Sequence, residues 1–198
     1  MKKPVIIIFL ILLFDQSLKF WVKTHMYLGA NYSIFGEWSY IHFTENNGMA
    51  FGMQFAGSWG KLVLSLFRIF AIIALGYWLF LLTRRNSSFG LIFTVSLIFA
   101  GAMGNIIDSA FYGMFFSEST YTQVAAFLPP EGGYSTFLHG RVVDMLYFPL
   151  IHGNFPLWVP FWGGQEFVFF RPVFNIADSS ISVGVFSLIL FQKRFFRK

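Results

Sequence analysis

Two aspartates stand in apolar company: Asp144 in "VVDML" and Asp178 in "NIADSS". An ionisable side chain beside a membrane-length apolar run is expensive and marks a functional site. If the fold brings the two together, both cannot stay ionised cheaply. Like charges at one site push one pKa up, and the pair holds a single proton. One member then serves as base to a water and the other as acid to a carbonyl oxygen. That is aspartic-peptidase chemistry, with no cofactor, no metal and no covalent intermediate.

Other chemistries are poorly supplied. The chain has no cysteine, which removes thiol catalysis, disulfides and cysteine-based metal sites. His25, His42, His139 and His152 are scattered without ligand spacing, so no metal is expected. Ser179 and Ser180 follow Asp178, but no Lys or His stands at dyad spacing. Further polar residues recur near the ends of apolar segments. They are Asn46 and Gly48 in "TENNGMAFG", Asn105 and Asp108 in "GAMGNIID", Arg141 in "GRVVDM", and Asn175 in "FNIAD". Each also has a bland reading: Asp108 could cap a helix end, and Asn46 before Gly48 could be a turn residue. Asp15 with Lys19, and Arg68, read as packing or topology pairs.

The elements that must position these residues are membrane segments. The chain is 56% hydrophobic and only 12% charged, with 29 Phe among 198 residues, whereas soluble domains carry about a quarter charged residues. Four segments approach the roughly 20 apolar residues that cross a bilayer: 4–22, 61–82, 89–107 and 173–191. None has an internal proline, and helices satisfy their own backbone in lipid. The first segment is expected to stay as a helix and not be cleaved as a signal peptide. No small-residue cleavage site follows it, and Asp15 and Lys19 lie four apart on one helix face, where they can pair.

The net charge of +5 does not point to nucleic acid, because the basic residues lie in short runs beside apolar segments. Lys2 and Lys3, then Arg84 and Arg85, then Lys193, Arg194, Arg197 and Lys198 form three clusters with no acidic residue among them. The positive-inside rule puts all three in the cytoplasm and regions 24–60 and 109–172 outside. The stretch "NYSIFGEWSYIHFTENNGMAFGM" mixes aromatic and β-branched residues with Gly and Asn turns, so it reads as short strands. In this topology Asn46, Asn105, Asp108, Asp144, Asn175 and Asp178 all meet at the outer side. No internal repeat is present, and a single domain over 1–198 is expected.

On these residues the chain resembles the lipoprotein signal peptidase (signal peptidase II) family over essentially its whole length. The motifs are "DQSLK", "NNGMAFG", "GNIID", "RVVDM" and "FNIADSSISVG", in the family's order on a four-helix pattern. The resemblance implies a bacterial inner-membrane aspartyl endopeptidase, a hydrolase. It would act as a monomer among membrane lipids, cutting a diacylglyceryl-modified prolipoprotein just before the lipidated cysteine. It implies Asp144 and Asp178 as the catalytic pair, and Asn46, Gly48, Asn105 and Asn175 as substrate-binding or orienting residues. Asp108 becomes an accessory polar residue. The implied fold is four transmembrane helices with a small extracytoplasmic β-sheet and an extracytoplasmic loop or helix. Two departures stand out. Ser109 occupies a position where the family usually has arginine, leaving Arg141 as the candidate replacement. Residues 114–140 are inserted before "VVD" as a lid, a docking surface or a passive loop.

Two other classes were weighed. A small proton-coupled membrane transporter would want polar residues spread across the bilayer depth, and here they concentrate at one end. A non-catalytic membrane scaffold bonded by Asn and Asp leaves two aspartates in apolar settings unexplained. The topology is tested by reporter fusions, which should place both termini in the cytoplasm and residues 114–140 outside. A C-terminus found outside would separate Asn46, Asp144 and Asp178 from one face.

Overall fold

The computed structural model describes residues 2–47 and 57–196. Gly48 therefore lies outside the described residues. Helix α1 spans Lys2–His25, α2 Gly57–Arg84 and α3 Phe89–Ile107. Among the described residues, three helices are long and apolar enough to cross a membrane. Their outward faces carry exposed Phe9 and Phe14 on α1 and Phe67, Phe70 and Ile73 on α2. In a soluble protein such faces would be buried; here they suit lipid. The fourth apolar segment forms α5, Ile176–Leu190, only 15 residues long. A short turn, α6 (Gln192–Phe195), follows it.

One boundary differs from the sequence reading. The α-helix of the third segment ends at Ile107, and the chain continues through a π-helical turn, Asp108–Tyr112, into the short helix α4, Gly113–Phe115. The polar Asn105 and Asp108 look like a helix end in sequence, but both turn inward and are buried. The fourth helix begins at Ile176 and not at Val173, because Val173–Phe174 is a strand and Asn175 caps the helix.

Helix α3 is the most enclosed of the three long helices, and α5 packs directly on it. Small residues allow that approach. A Cβ added at Gly101 would sit 2.2 Å from the Ala177 carbonyl oxygen. At Gly104 it would sit 2.8 Å from an Asp15 carboxylate oxygen and 3.0 Å from Ala177 Cβ. Without a hydrophobic drive between helices in lipid, close backbone packing of this kind holds them together.

The sheet runs β1-β2-β3-β6, with β1 Asn31–Phe35, β2 Ser39–Asn46, β3 Val142–Tyr147 and β6 Val173–Phe174. All neighbours are antiparallel. The short strands expected in region 24–60 are thus β1 and β2. The β2–β3 register pairs Thr44 with Asp144 and Asn46 with Val142, after an irregularity between Ile41 and Thr44. Such irregularities re-aim side chains, and this one sets the end of β2 beside Asp144. A separate hairpin, β4 (Ile151–Asn154) and β5 (Glu166–Phe169), leaves the sheet between β3 and β6.

Residues 116–140 form a loop stitched into the domain. Ser135 N donates to Gly113 O at 2.8 Å, Gly140 N to Ser109 O at 2.8 Å and Leu28 N to the Thr120 carbonyl at 3.0 Å. Phe116 and Ala125 are buried with Val22, Met26, Phe43, Val143 and Met145 in one apolar core. Neither an open lid nor a passive loop describes this segment, since it completes the core that carries β3. The tightest helix contact supplies a test. Gly101→Ala forces a methyl onto the α5 backbone and should destabilise by about 1–3 kcal/mol, as overpacking does, while displacing Asp178. Gly76→Ala meets only the Phe99 ring, at 3.1 Å, and should be milder. Thermal unfolding decides this; a Gly101→Ala variant that unfolds like wild type would refute it.

Candidate active site

Asn175 follows β6 in an extended conformation and caps α5. Its side-chain oxygen accepts from Asp178 N at 2.8 Å, and the Asp178 carboxylate accepts from Asn175 N at 3.3 Å. This reciprocal box satisfies two amides that a helix start leaves open. A third, Ala177 N, donates to Asp15 Oδ1 at 2.9 Å. The helix N-terminus favours negative charge, so Asp178 sits where a carboxylate is stabilised. Its other oxygen, Oδ1, accepts from Asn105 Nδ2 at 2.7 Å.

Asp144 comes from the middle of β3 and is buried. Its Oδ1 accepts from Asn175 Nδ2 at 2.7 Å, and its Oδ2 accepts from the Asn46 amide. Asn175 Nδ2 also lies 3.0 Å from Asn105 Oδ1 and 3.3 Å from Val143 O, so its two hydrogens are shared among three acceptors. The result is a relay, Asp178–Asn105–Asn175–Asp144, in which each asparagine both donates and accepts. Burial, and then the negative charge of Asp178, push the Asp144 carboxyl up to about 7.

Beneath this relay lies Lys19, with no solvent exposure. Its ammonium meets Asp15 at 2.9 Å, Asp108 at 2.8 Å and Asn105 Oδ1 at 3.1 Å. All three donors are spent. Gln16 Nε2 lies 3.0 Å from Asp15 Oδ2 and 3.0 Å from Asp108 Oδ1, and Gln16 Oε1 accepts from the Tyr112 hydroxyl at 3.2 Å. Asp108 Oδ2 accepts from Val143 N at 3.2 Å, tying the end of α3 to the residue before Asp144. The π-helical turn starts at Asp108; such turns are frequent at functional sites.

The fold therefore brings together Asn46, Asn105, Asp108, Asp144, Asn175 and Asp178. Arg141 stands slightly apart and is partly exposed. It reaches Glu118 at 2.9 Å and Glu45 at 3.4 Å, over the Tyr134 ring at 5.2 Å. Burial opposes its charge, but Glu118 and Glu45 outweigh that and raise its pKa. Ser109, at the departing position, is buried and donates to Asn105 O at 3.1 Å. Arg68 of α2 lies within electrostatic reach of Asp178, Asp108 and Asp144. Asp15, Gln16 and Lys19 were missed as site residues. Their spacing pointed to a pair on one face, and only the fold shows that this face looks into the site.

The chain matches the family model described as signal peptidase (SPase) II over residues 7–194. It belongs to the signal peptidase II family. It is similar to the lipoprotein signal peptidase of Porphyromonas gingivalis, 52% identical over 192 residues, covering 95% of this chain and 81% of that one. The lipoprotein signal peptidase of Amoebophilus asiaticus is 39% identical over 183 residues, covering 91% and 72%. In fold it is similar to a bacterial membrane enzyme solved by the in meso method at 2.3 Å resolution, with a TM-score of 0.66 and 23% identity. That match covers 100% of this chain and 93% of the other.

For this signal peptidase II the dependence on Lys19 is testable. Lys19→Met leaves Asp15 and Asp108 buried without their cation, and removing one partner of a buried pair costs about 3–5 kcal/mol. The unfolding temperature should drop, and kcat should fall more than KM changes, because Asn105 loses the group that orients it. An unfolding temperature unchanged from wild type would show that Lys19 carries no such load.

Proposed function

We propose that Asp144 and Asp178 are the catalytic dyad of this enzyme and that Asp144 is its protonated member at rest. The enzyme is an aspartic peptidase that removes signal peptides from prolipoproteins. The supporting observation is the amide relay. It joins two carboxylates from separate elements, and one of them is held at a pKa of about 7. Asp178, at the α5 N-terminus, takes a proton from a water. The water oxygen attacks the scissile carbonyl, and Asp144 gives its proton to the carbonyl oxygen. When the tetrahedral species collapses, the C–N bond breaks and the proton on Asp178 goes to the leaving amine. The hydroxyl formed on the carbonyl returns its proton to Asp144.

The bond cut is the one just before a cysteine carrying diacylglycerol, in a substrate that stays at the bilayer. The dyad would stand at the outer face of a bacterial inner membrane, with both termini of the chain cytoplasmic. The enzyme acts as a monomer without metal or cofactor. Asn46 orients Asp144, while Asn105 and Asn175 position both carboxylates, and Asp108 fixes β3 against α3. Gly48 follows Asn46 in the motif and belongs to the substrate-binding group. Arg141, fixed by Glu45 and Glu118, borders the site as a substrate contact in place of the arginine missing at Ser109.

Asp144→Asn and Asp178→Asn should each cut the cleavage rate of a diacylglyceryl-modified prolipoprotein by about 10²–10⁴-fold, the worth of general acid–base steps. The double variant should be little worse than either single one, since groups acting as a unit are non-additive. Cleavage of the unlipidated precursor should be much slower than that of the lipidated one. The acid form of Asp144 exists below its pKa, so kcat/KM should fall as pH rises through about 7. Near wild-type cleavage by either Asn variant, or no falling limb near neutral pH, would defeat the dyad assignment.

A further inference from the structure

The β4–β5 hairpin carries the least protected apolar side chains in the described structure. Leu157 is 89% exposed, Trp158 81% and Phe161 92%. Trp162 beside them is also exposed. No charged residue occurs from Phe155 to Gln165. A loose loop would fold such side chains inward, but this tip is built to hold them out. Phe155 N donates to Gln165 O at 2.9 Å, Gly164 N to Phe155 O at 2.8 Å and Gly163 N to Val159 O at 3.0 Å. Phe155 packs on Phe167 with ring centroids 5.0 Å apart, giving the tip its own small core. Phe161 adopts φ +68°, a conformation disfavoured for a bulky residue that the turn nevertheless imposes.

The position of the hairpin indicates what covers it. Only the short segment from Phe170 to Asn175 separates β5 from α5, which enters the apolar bundle. The chain thus runs from the exposed tip through β5 and β6 directly to the start of α5. Its residue types are those of a membrane boundary, where indole rings seat at the headgroup level and aliphatic and phenyl groups seat deeper. We propose that the β4–β5 hairpin is an interfacial membrane anchor. Leu157, Trp158, Phe161 and Trp162 enter the headgroup–acyl boundary of the leaflet at the α5 N-terminal side. Because the hairpin lies in the connection between Asp144 and Asp178, seating it in lipid fixes the height of the dyad above the acyl chains. The inference rests on the helices spanning the bilayer.

The absence of cysteine makes single-site labelling clean. Leu157→Cys, Phe161→Cys, Glu166→Cys and Phe70→Cys are each spin-labelled in the full-length protein and reconstituted into phosphatidylglycerol–phosphatidylethanolamine vesicles. Collisions with dissolved oxygen and with a water-soluble nickel chelate are then measured. Labels at 157 and 161 should favour oxygen and be shielded from the chelate, while 166, where β5 leaves the tip opposite Asn154, should favour the chelate more than they do. Water exposure at 157 and 161 while 70 remains in lipid overturns the anchor but leaves the spanning helices standing. Water exposure at 70 overturns the spanning reading and the anchor with it. Dipolar coupling between Phe161 labels on two molecules would show that a second copy covers the tip, which also overturns the proposal.

Discussion

The ammonium of Lys19 is the interaction on which the rest of the site depends. Asp15 and Asp108 are buried beside it, and a buried carboxylate without a partner is costly. Their links to Lys19 also fix positions elsewhere. Asp15 holds the first turn of α5 through Ala177 N, and Asp108 holds β3 through Val143 N. Lys19 also orients Asn105 by taking its carbonyl oxygen, so the amide nitrogen must face Asp178. One cation on α1 thereby sets the mutual position of α3, α5 and β3, and with them the two carboxylates proposed as the dyad.

This arrangement divides the site's four aspartates into two kinds. Asp15 and Asp108 are neutralised by direct contact with Lys19. Asp144 and Asp178 receive neutral amide donors instead. Amides stabilise a carboxylate without supplying a full opposing charge, which suits the proton sharing proposed for the pair. Asn105 and Asn175 cannot titrate themselves. They hold the two acids in place whichever of them carries the proton, as a cycle that moves it requires.

Hydropathy and charge made the helical segments legible, because lipid demands long apolar runs and the basic clusters mark their ends. The proposed dyad, Asp144 and Asp178, stood out in the sequence because an aspartate between apolar residues has few structural uses. The role of Lys19 was not. Its partners lie on other elements, and local spacing shows only Asp15. What the sequence did not show at the end of α3 is that Asn105 and Asp108, which look like a polar exit, are carried inward at the start of a π turn. Val173 and Phe174 read equally well as the start of a helix, and only pairing with Tyr147 and Leu146 makes them a strand. Hairpin β4–β5 was invisible because its aromatic run, broken by Pro156 and Pro160, has neither helical nor clean alternating periodicity.

Helix α1 acts as a ruler for the whole outer half. Asp15, Lys19 and Lys23 recur every four residues on one face of an otherwise apolar helix, all buried. Each step climbs about 6 Å along the axis. Asp15 serves the α5 start and Lys19 the end of α3. Lys23 meets Glu45 of β2 and Ser119 of the inserted loop, lying over the Phe116 and Tyr134 rings. Glu45 in turn reaches Arg141, immediately before β3. The polar stripe thus joins every element that contributes to the dyad, in order of height. Because its charges are buried, sliding any element by one turn would strand a charge without its partner. The cost of that error gives a site built from four distant stretches of chain a single register.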